Sequence, residues 1–166
     1  MNTPATPASH TPPAKTPRRI ARELVLQGLY QWQLSGNSIA QVEESLASGD
    51  ETTVDWNRAD RGLLLSLLRN VSANARDIEA EFVPYLDRPV GELSPIERSI
   101  LMVGAYELKH CPETPYRVVM NEAIELAKNF GGTDGHKFVN GVLDKLALRL
   151  RATEIEHAKK NPHKRR

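Results

Sequence analysis

Residues 94–110 read SPIERSILMVGAYELKH, and this stretch decides the fold class. Ser94 is placed as a helix N-cap, Pro95 occupies the first helical position and Glu97 follows three residues after the serine, the pattern of a capping box. The apolar residues that follow surround most of the helix circumference; they are Ile96, Ile100, Leu101, Met102, Val103, Ala105 and Leu108. Since a helix that is apolar nearly all round is buried, the stretch predicts a central helix that ends near His110.

Helical spacing continues on the N-terminal side of this stretch. One apolar stripe, with Gly28 in it, predicts a first helix that ends near Ser35-Gly36, and a short helix follows over 39–46. Residues 49–55 are predicted to form a loop. A long stripe over 63–86 predicts one helix of about seven turns, or two helices with a kink.

Two more helices are predicted on the C-terminal side. Pro115, capped by Thr114, opens the first of them, and the glycines after Phe130 stop it. The second begins near Thr133 or Asp134, and its core face is formed by Val139, Val142, Leu143, Leu146, Ala147 and Leu150. No segment alternates with period two over enough residues for a strand. The fold class is therefore all-α, a compact bundle of about six or seven helices.

The 166 residues divide into a folded body and two polar ends. Residues 1–17 hold five of the 11 prolines and are predicted to be a disordered Pro/Thr-rich tail. Residues 152–166 are predicted to be a fraying basic tail, which leaves 18–151 as the helical domain. Residues 1–22 carry four basic side chains and no acid, whereas 23–144 carry 10 basic against 19 acidic ones. Basic ends allow polyanion binding despite a net charge of +1; the alternative is that both ends only keep the chain soluble.

Several function classes are excluded or disfavoured by composition. A single cysteine, Cys111, rules out an intramolecular disulfide. No apolar run approaches the length of a membrane span, and no secretory signal is visible. The Gly-rich run at 131–137 lacks the spacing of a phosphate-binding loop. His110 and Cys111 form the only His/Cys pair, so we expect no metal site, no cofactor and no catalytic residues.

Two features favour binding of RNA instead. Arg18, Arg19 and Arg22 fall within about 100° of one another near the start of the first helix, beside its apolar stripe. Cations are unfavourable at a helix N-terminus, so an external anion explains them better than stability does, although a solvated helix start is the alternative. Phe138, next to Lys137, lies at the edge of the core stripe of the last helix. It suits either base stacking or an ordinary core position.

Several longer stretches resemble the NusB family when they are taken together. They are RRIARE (18–23), QGLYQWQL (27–34), PYRVVMNEAIELAK (115–128) and HKFVNGVLDK (136–145). The resemblance covers roughly residues 18–150. It implies an all-helical fold of two small sub-bundles, no enzymatic activity and a cytoplasmic location.

The resemblance also implies partners and site residues. The family binds boxA RNA of ribosomal RNA leaders together with NusE, a small-subunit ribosomal protein, and helps RNA polymerase to read through terminators. Its Arg-rich helix start corresponds to Arg18, Arg19 and Arg22, with Ile20 at a position that is basic in some relatives. The positions that match recognition residues of the family are Tyr30, Glu97, Asp134 and Phe138.

Three alternatives stay open or are set aside at this point. The acidic middle of the chain would also suit a protein-interaction module that docks a basic ribosomal protein without RNA specificity of its own. NusB-like domains fused to RNA methyltransferases exist, but too few residues follow Leu150 for such a domain. The oligomeric state is open, because a homodimer would hide the arginine face.

Overall fold

The structure is a computed structural model that describes residues 14–161. Over these residues the chain forms nine α-helices and two short 3-10 turns, with no strand. The helices are α1 (Pro17–Ser35), α2 (Ile39–Ser48), α3 (Thr53–Arg58), α4 (Arg61–Ala73), α5 (Ala75–Phe82), α6 (Pro95–His110), α7 (Tyr116–Phe130), α8 (Gly135–Leu150) and α9 (Ala152–Lys160). The all-α prediction is confirmed. The helix count is higher than six or seven because short helices were missed.

Helix α6 is the central helix, as predicted. Most of its residues are buried, and it packs against α1, α5, α7 and α8. The Ser94 hydroxyl accepts a hydrogen bond from the Glu97 backbone N–H at 3.1 Å, so the predicted N-cap is present. The second half of the predicted capping box, a bond from the Ser94 backbone N–H to the Glu97 carboxylate, is not formed. This carboxylate lies near the start of α8, with Oε1 3.9 Å from the place where a Cβ on Gly135 would stand.

Helix α1 joins two groups of helices. It packs against α2, α3 and α4 on one side, while α5, α7 and α8 gather around α6 on the other. A Cβ added to Gly28 would stand 3.0 Å from Leu68 Cδ1 and 3.2 Å from Leu46 Cδ1, so α1 lies close to both α4 and α2. Gly36 ends α1 in the left-handed conformation, at φ 69°, as predicted.

Of the two alternatives predicted for 63–86, one helix or two with a kink, the second is present, as α4 and α5. The break lies at Asn74, whose side-chain amide donates to the Asn70 carbonyl at 2.8 Å. Asparagine competes in this way with the backbone of a helix. The predicted loop over 49–55 is also partly wrong, since α3 begins at Thr53.

The prediction of a fraying tail after residue 151 is wrong for residues 152–160. Residues 152–160 form α9 instead of a fraying tail, and Ile155 of this helix is buried against the core. The Glu154 carboxylate accepts a hydrogen bond from the Tyr116 backbone N–H at 2.9 Å and so caps α7. Thr114 is therefore not the cap that the sequence suggests. The predicted N-terminal tail lies mostly outside the described residues; α1 takes its last position, Pro17.

Candidate nucleic-acid interface

Two arginines at the start of α1 lie at the surface, Arg18 exposed and Arg19 half-buried, and each forms an ion pair. Arg18 Nη1 lies 3.6 Å from Asp60 Oδ2. Arg19 donates through Nε and Nη2 to the Glu122 carboxylate at 3.3 and 3.1 Å, and 40% of its side chain remains exposed. The hydrogen bond and the charge of Glu122 raise the pKa of Arg19. Because exposed pairs are worth about 0–1 kcal/mol, a phosphate can replace these carboxylates at little cost.

Arg22 does not belong to this exposed patch. The residue is 2% exposed, so the expectation that it lies beside the core stripe is wrong. Its Nε and Nη2 donate to the two carboxylate oxygens of Glu107, at 3.1 and 2.7 Å. Burial opposes the charge, but the hydrogen bond to Glu107 and the charges of Glu107 and Glu122 together outweigh burial and raise the pKa of Arg22. This deeply buried ion pair joins α1 to α6.

The sequence signal for this pair lies in α6 and not in α1. Glu107 stands in a helix that is apolar nearly all round, and an acid in such a place requires a buried base. Glu23 on α1 is buried as well, with Lys15 Nζ donating to Oε2 at 3.0 Å. The same ammonium lies 2.9 Å from Oε1 without the alignment of a hydrogen bond, so that oxygen is held by charge only.

A second group of predicted residues gathers where α6 and α8 begin. Glu97 lies beside Gly135, and Asp134 precedes α8 with φ at 62°, a conformation that few residues other than glycine adopt. The Asp134 carbonyl accepts from the backbone N–H groups of Lys137 and Phe138 at 3.1 and 3.3 Å. The structure thus brings Glu97, Asp134, Lys137 and Phe138 to one place, which we call the α6–α8 surface.

The side chains of the α6–α8 surface differ in exposure. Lys137 Nζ is 3.3 Å from Asp134 Oδ1, and both side chains are exposed. Phe138 is half-buried: it packs against the core and keeps part of its ring accessible. This position packs against the core, as one alternative for this phenylalanine requires, and base stacking on it stays a prediction. An accessible ring, an ammonium and carboxylate acceptors together provide stacking, charge and hydrogen bonding for an unpaired base.

Arg88 and Lys145 border the same surface, but the sequence patterns do not identify them as site residues. The Arg88 guanidinium lies over the Phe138 ring, 4.5 Å from its centroid. Lys145 lines a small pocket with Tyr85, Lys137 and Phe138. Arg88 stands in an aperiodic loop 50 residues from Phe138, so no local pattern pairs them.

Tyr30 lies apart from both groups. It is exposed on α1, beside the connection between α2 and α3, where Gln27, Gln31 and Thr52 line the same shallow depression. At 100° per residue Tyr30 and Arg19 point to nearly the same side of α1, about 16 Å apart along its axis. Glu97 and Glu107 are ten positions apart on α6, so the α6–α8 surface and the arginine end of α1 are separated by about 15 Å along this helix.

The described residues do not support a reactive thiol, a metal site or a membrane span. Burial raises the pKa of Cys111 to about 11, so its thiol stays protonated near neutral pH and is a poor nucleophile. Residues 14–161 contain no cluster of three potential metal ligands. None of the helices in this range has the length and apolarity that a bilayer crossing requires.

Comparison with known proteins gives one consistent result. The model of the NusB family matches residues 19–148. A transcription antitermination protein NusB from Azoarcus sp. is 59% identical over 142 residues, which is 86% of this chain and 90% of that protein. The protein of the same name from Nitrosomonas eutropha is 48% identical over 163 residues and covers 96% of this chain and 95% of its own.

Solved structures agree with the fold. T. maritima NusB superposes with a TM-score of 0.67 at 33% identity, covering 81% of this chain and 92% of that one. A crystal structure of antitermination factors NusB and NusE in complex with dsRNA gives a TM-score of 0.66 at 22% identity, covering 79% of this chain and 96% of that one. The second likeness concerns the fold alone.

Proposed function

The chain belongs to the NusB family, and on that premise we propose that it binds boxA-type single-stranded RNA of ribosomal RNA leaders together with NusE. As a member of this family it is a transcription antitermination factor and not an enzyme. We further propose that it acts in the cytoplasm within the antitermination complex of RNA polymerase, where it helps the polymerase to read through terminators.

The α6–α8 surface is the observation that carries the RNA proposal. Sequence-specific proteins read unpaired bases by stacking them on aromatic rings or guanidinium groups and by bonding to their edges. Phe138 and Lys137 supply a ring and a cation there, while Glu97 and Asp134 supply acceptors for base amino groups.

Arg18 and Arg19 extend this contact along the RNA backbone. Both side chains are exposed, and arginine pairs with phosphates through a planar fork. Tyr30, exposed on the same side of α1 as Arg19, is a third proposed contact. Arg22 is left out of the contact set because Glu107 already occupies its guanidinium.

Two observations support NusE as the partner. One structure of the same fold holds NusB and NusE together with RNA. The middle of this chain, residues 23–144, carries a strong excess of acidic over basic residues, which suits a basic ribosomal protein. The same acidity supports the alternative function, a module that docks this protein without any RNA specificity of its own.

Fluorescence anisotropy tests the proposal. Labelled boxA RNA and a scrambled RNA of equal length are titrated with the chain at two salt concentrations, with and without NusE. We expect selective binding of boxA that tightens with NusE and weakens with salt. Equal binding of both RNAs contradicts the proposal, and a complex with NusE that ignores RNA supports the alternative.

A homodimer is a further open proposal within this function. If two copies cover the arginine end of α1, the dimer has to dissociate before RNA binds. Sedimentation velocity with and without boxA RNA tests this, since RNA would then shift the chain from dimer to a monomeric complex. Unchanged association upon RNA binding argues against it.

A further inference from the structure

Arg88 is held over the Phe138 ring at the edge of the α6–α8 surface. Its Cζ lies 4.5 Å from the ring centroid, within the range of a cation–π contact. Asp87 holds the guanidinium from one side, accepting from Nε at 2.8 Å and from Nη2 at 3.4 Å. The side chain is still 40% exposed.

This stack borders a small pocket. The pocket measures about 170 Å³ and is lined on one side by Tyr85 and Asp87, and on the other by Lys137, Phe138, Val142 and Lys145. Sites for complete small molecules usually measure about 300–1,000 Å³. A volume this small fits the edge of one base or a ribose. The two exposed lysines at its rim supply positive charge for the adjoining phosphates.

Stability explains little of the arrangement of Arg88. Its carboxylate partner is its own neighbour in the chain, so that ion pair joins no two elements, and exposed pairs contribute little. The contact with Phe138 does join the loop to α8, but a cation–π contact at an exposed site is also weak. Arg69 offers a useful contrast. It pairs in the same bidentate way with Glu43 and is exposed, but its pair joins α4 to α2. The Arg88 guanidinium is instead placed over an aromatic ring.

We propose that Arg88 is a base-stacking residue of the α6–α8 surface. An unpaired base of the RNA stacks on the Arg88 guanidinium, which Phe138 supports from its other side, while Lys137 and Lys145 pair with the flanking phosphates. Arginine planes stack on bases in this manner in other RNA-binding proteins. The assignment rests on the proposed function and adds to it a residue that selects for unstacked RNA.

The variants Arg88→Ala and Arg88→Lys test this assignment, with Arg69→Ala and Arg69→Lys as matched controls. Binding of boxA RNA is measured by anisotropy, and RNA that carries 2-aminopurine at each position in turn reports stacking through its fluorescence. We expect Arg88→Ala to weaken binding about tenfold, in line with the loss of one stacked base. Arg88→Lys should keep the salt dependence of binding but not the affinity, because lysine preserves the positive charge and lacks the planar guanidinium group. Both Arg69 variants should bind like the wild type.

A double-mutant cycle with Phe138→Leu adds a readout that a purely electrostatic role would not move. If Arg88 and Phe138 act as one platform, the loss in Arg88→Ala/Phe138→Leu is smaller than the product of the two single losses. Thermal unfolding of each variant is recorded alongside, and we expect Arg88→Ala to melt like the wild type.

The outcomes separate this assignment from the function on which it rests. If the wild-type chain binds neither boxA RNA nor the scrambled RNA, both the proposed function and the stacking role are overturned. Selective wild-type binding with unchanged affinity in Arg88→Ala overturns the Arg88 assignment alone. Wild-type affinity in Arg88→Lys overturns it as well, because a positive charge alone would then explain the role of Arg88. A loss confined to NusE binding would identify a protein contact and also contradict the stacking role.

Discussion

At the scale of residues, the arginines at the start of α1 have separate roles although the sequence places them together. Arg19 and Arg22 are three positions apart, yet one is bonded to Glu122 at the surface and the other is enclosed with Glu107. The difference comes from partners about one hundred residues away in the chain. An exposed pair exchanges readily with a phosphate, whereas a buried pair holds two helices in register.

Arg22→Ala should destabilise the fold by about 3–5 kcal/mol, because it leaves Glu107 buried and unpaired. Urea unfolding followed by circular dichroism measures this loss. The control Arg69→Ala removes an exposed bidentate pair and should cost less than about 1 kcal/mol. The double variant Arg22→Met/Glu107→Leu should recover most of the stability. Wild-type stability in Arg22→Ala would mean that the pair is not buried in solution.

Arg19→Ala should leave stability nearly unchanged and weaken RNA binding. We expect the slope of log affinity against log salt to fall by about one, the signature of one lost phosphate contact. Glu122→Gln should act in the opposite direction and tighten binding by up to about fivefold, since it frees the Arg19 guanidinium from a pair worth about 1 kcal/mol. Anisotropy at four salt concentrations measures both variants. An unchanged slope in Arg19→Ala would remove this residue from the interface.

At the scale of elements, the long helices are predictable and the short ones are not. α1, α6, α7 and α8 each carry a full apolar stripe and clear stop signals, so their bounds follow closely from the sequence. α3 and α9 have six and nine residues and too few turns to show a stripe. Their formation depends on tertiary contacts, such as the bond between Glu154 and Tyr116. The site shows the same limit, because the contact between Arg88 and Phe138 is likewise non-local.

Arg151 explains why the chain after α8 folds back onto the bundle. Its buried guanidinium donates to four backbone carbonyls at the end of α6 and beyond, those of Glu107, Leu108, Cys111 and Thr114, at 2.7–3.0 Å. Carbonyls at a helix C-terminus otherwise lack partners.

Arg151→Met should therefore destabilise the protein by about 3 kcal/mol, since the Leu108 and Thr114 carbonyls lose their donor and those of Glu107 and Cys111 keep only a backbone N–H. Truncation after Leu150 should destabilise it at least as much, whereas truncation after Lys160 should have little effect. Urea unfolding of the three variants measures this. Equal stability of the two truncated chains would show that α9 is not part of the folded unit.

Glu81 links α5 to α6 and α8 and makes the stability pH-dependent. Hydrogen bonds from Lys109 and Arg149, both at 2.5 Å, lower the pKa of this carboxyl below its ordinary 4.5. A lowered pKa in the folded state stabilises the fold above pH 4.5, and this contribution is lost as the pH falls through the lowered value.

Glu81→Gln should accordingly reduce stability by about 1 kcal/mol at pH 7 and flatten the acid limb of the stability profile below pH 4.5. Thermal unfolding between pH 3 and 7 measures the two profiles. Glu113→Gln, which changes an exposed acid on the loop after α6, serves as the control. Parallel profiles for the wild type and Glu81→Gln would contradict the assigned linkage.

At the scale of the whole molecule, the proposed RNA contacts lie at two ends of the central helix. The α6–α8 surface and the exposed arginines are about 15 Å apart along α6. A single contact of either kind would be weak, so selectivity requires one RNA strand to reach both. The excess of acidic residues over 23–144 disfavours non-specific coating by polyanions and suits a basic partner.

Photocrosslinking of boxA RNA substituted with 4-thiouridine, followed by mass spectrometry of the crosslinked peptides, tests this central claim most directly. The measurement uses the complete chain with NusE present and scrambled RNA as the reference. We predict crosslinks to the peptide that contains Phe138 and to the peptide that contains Arg18 and Arg19, from different positions of the same RNA. Crosslinks confined to other peptides, or equal yields with the scrambled RNA, would contradict the two-ended interface.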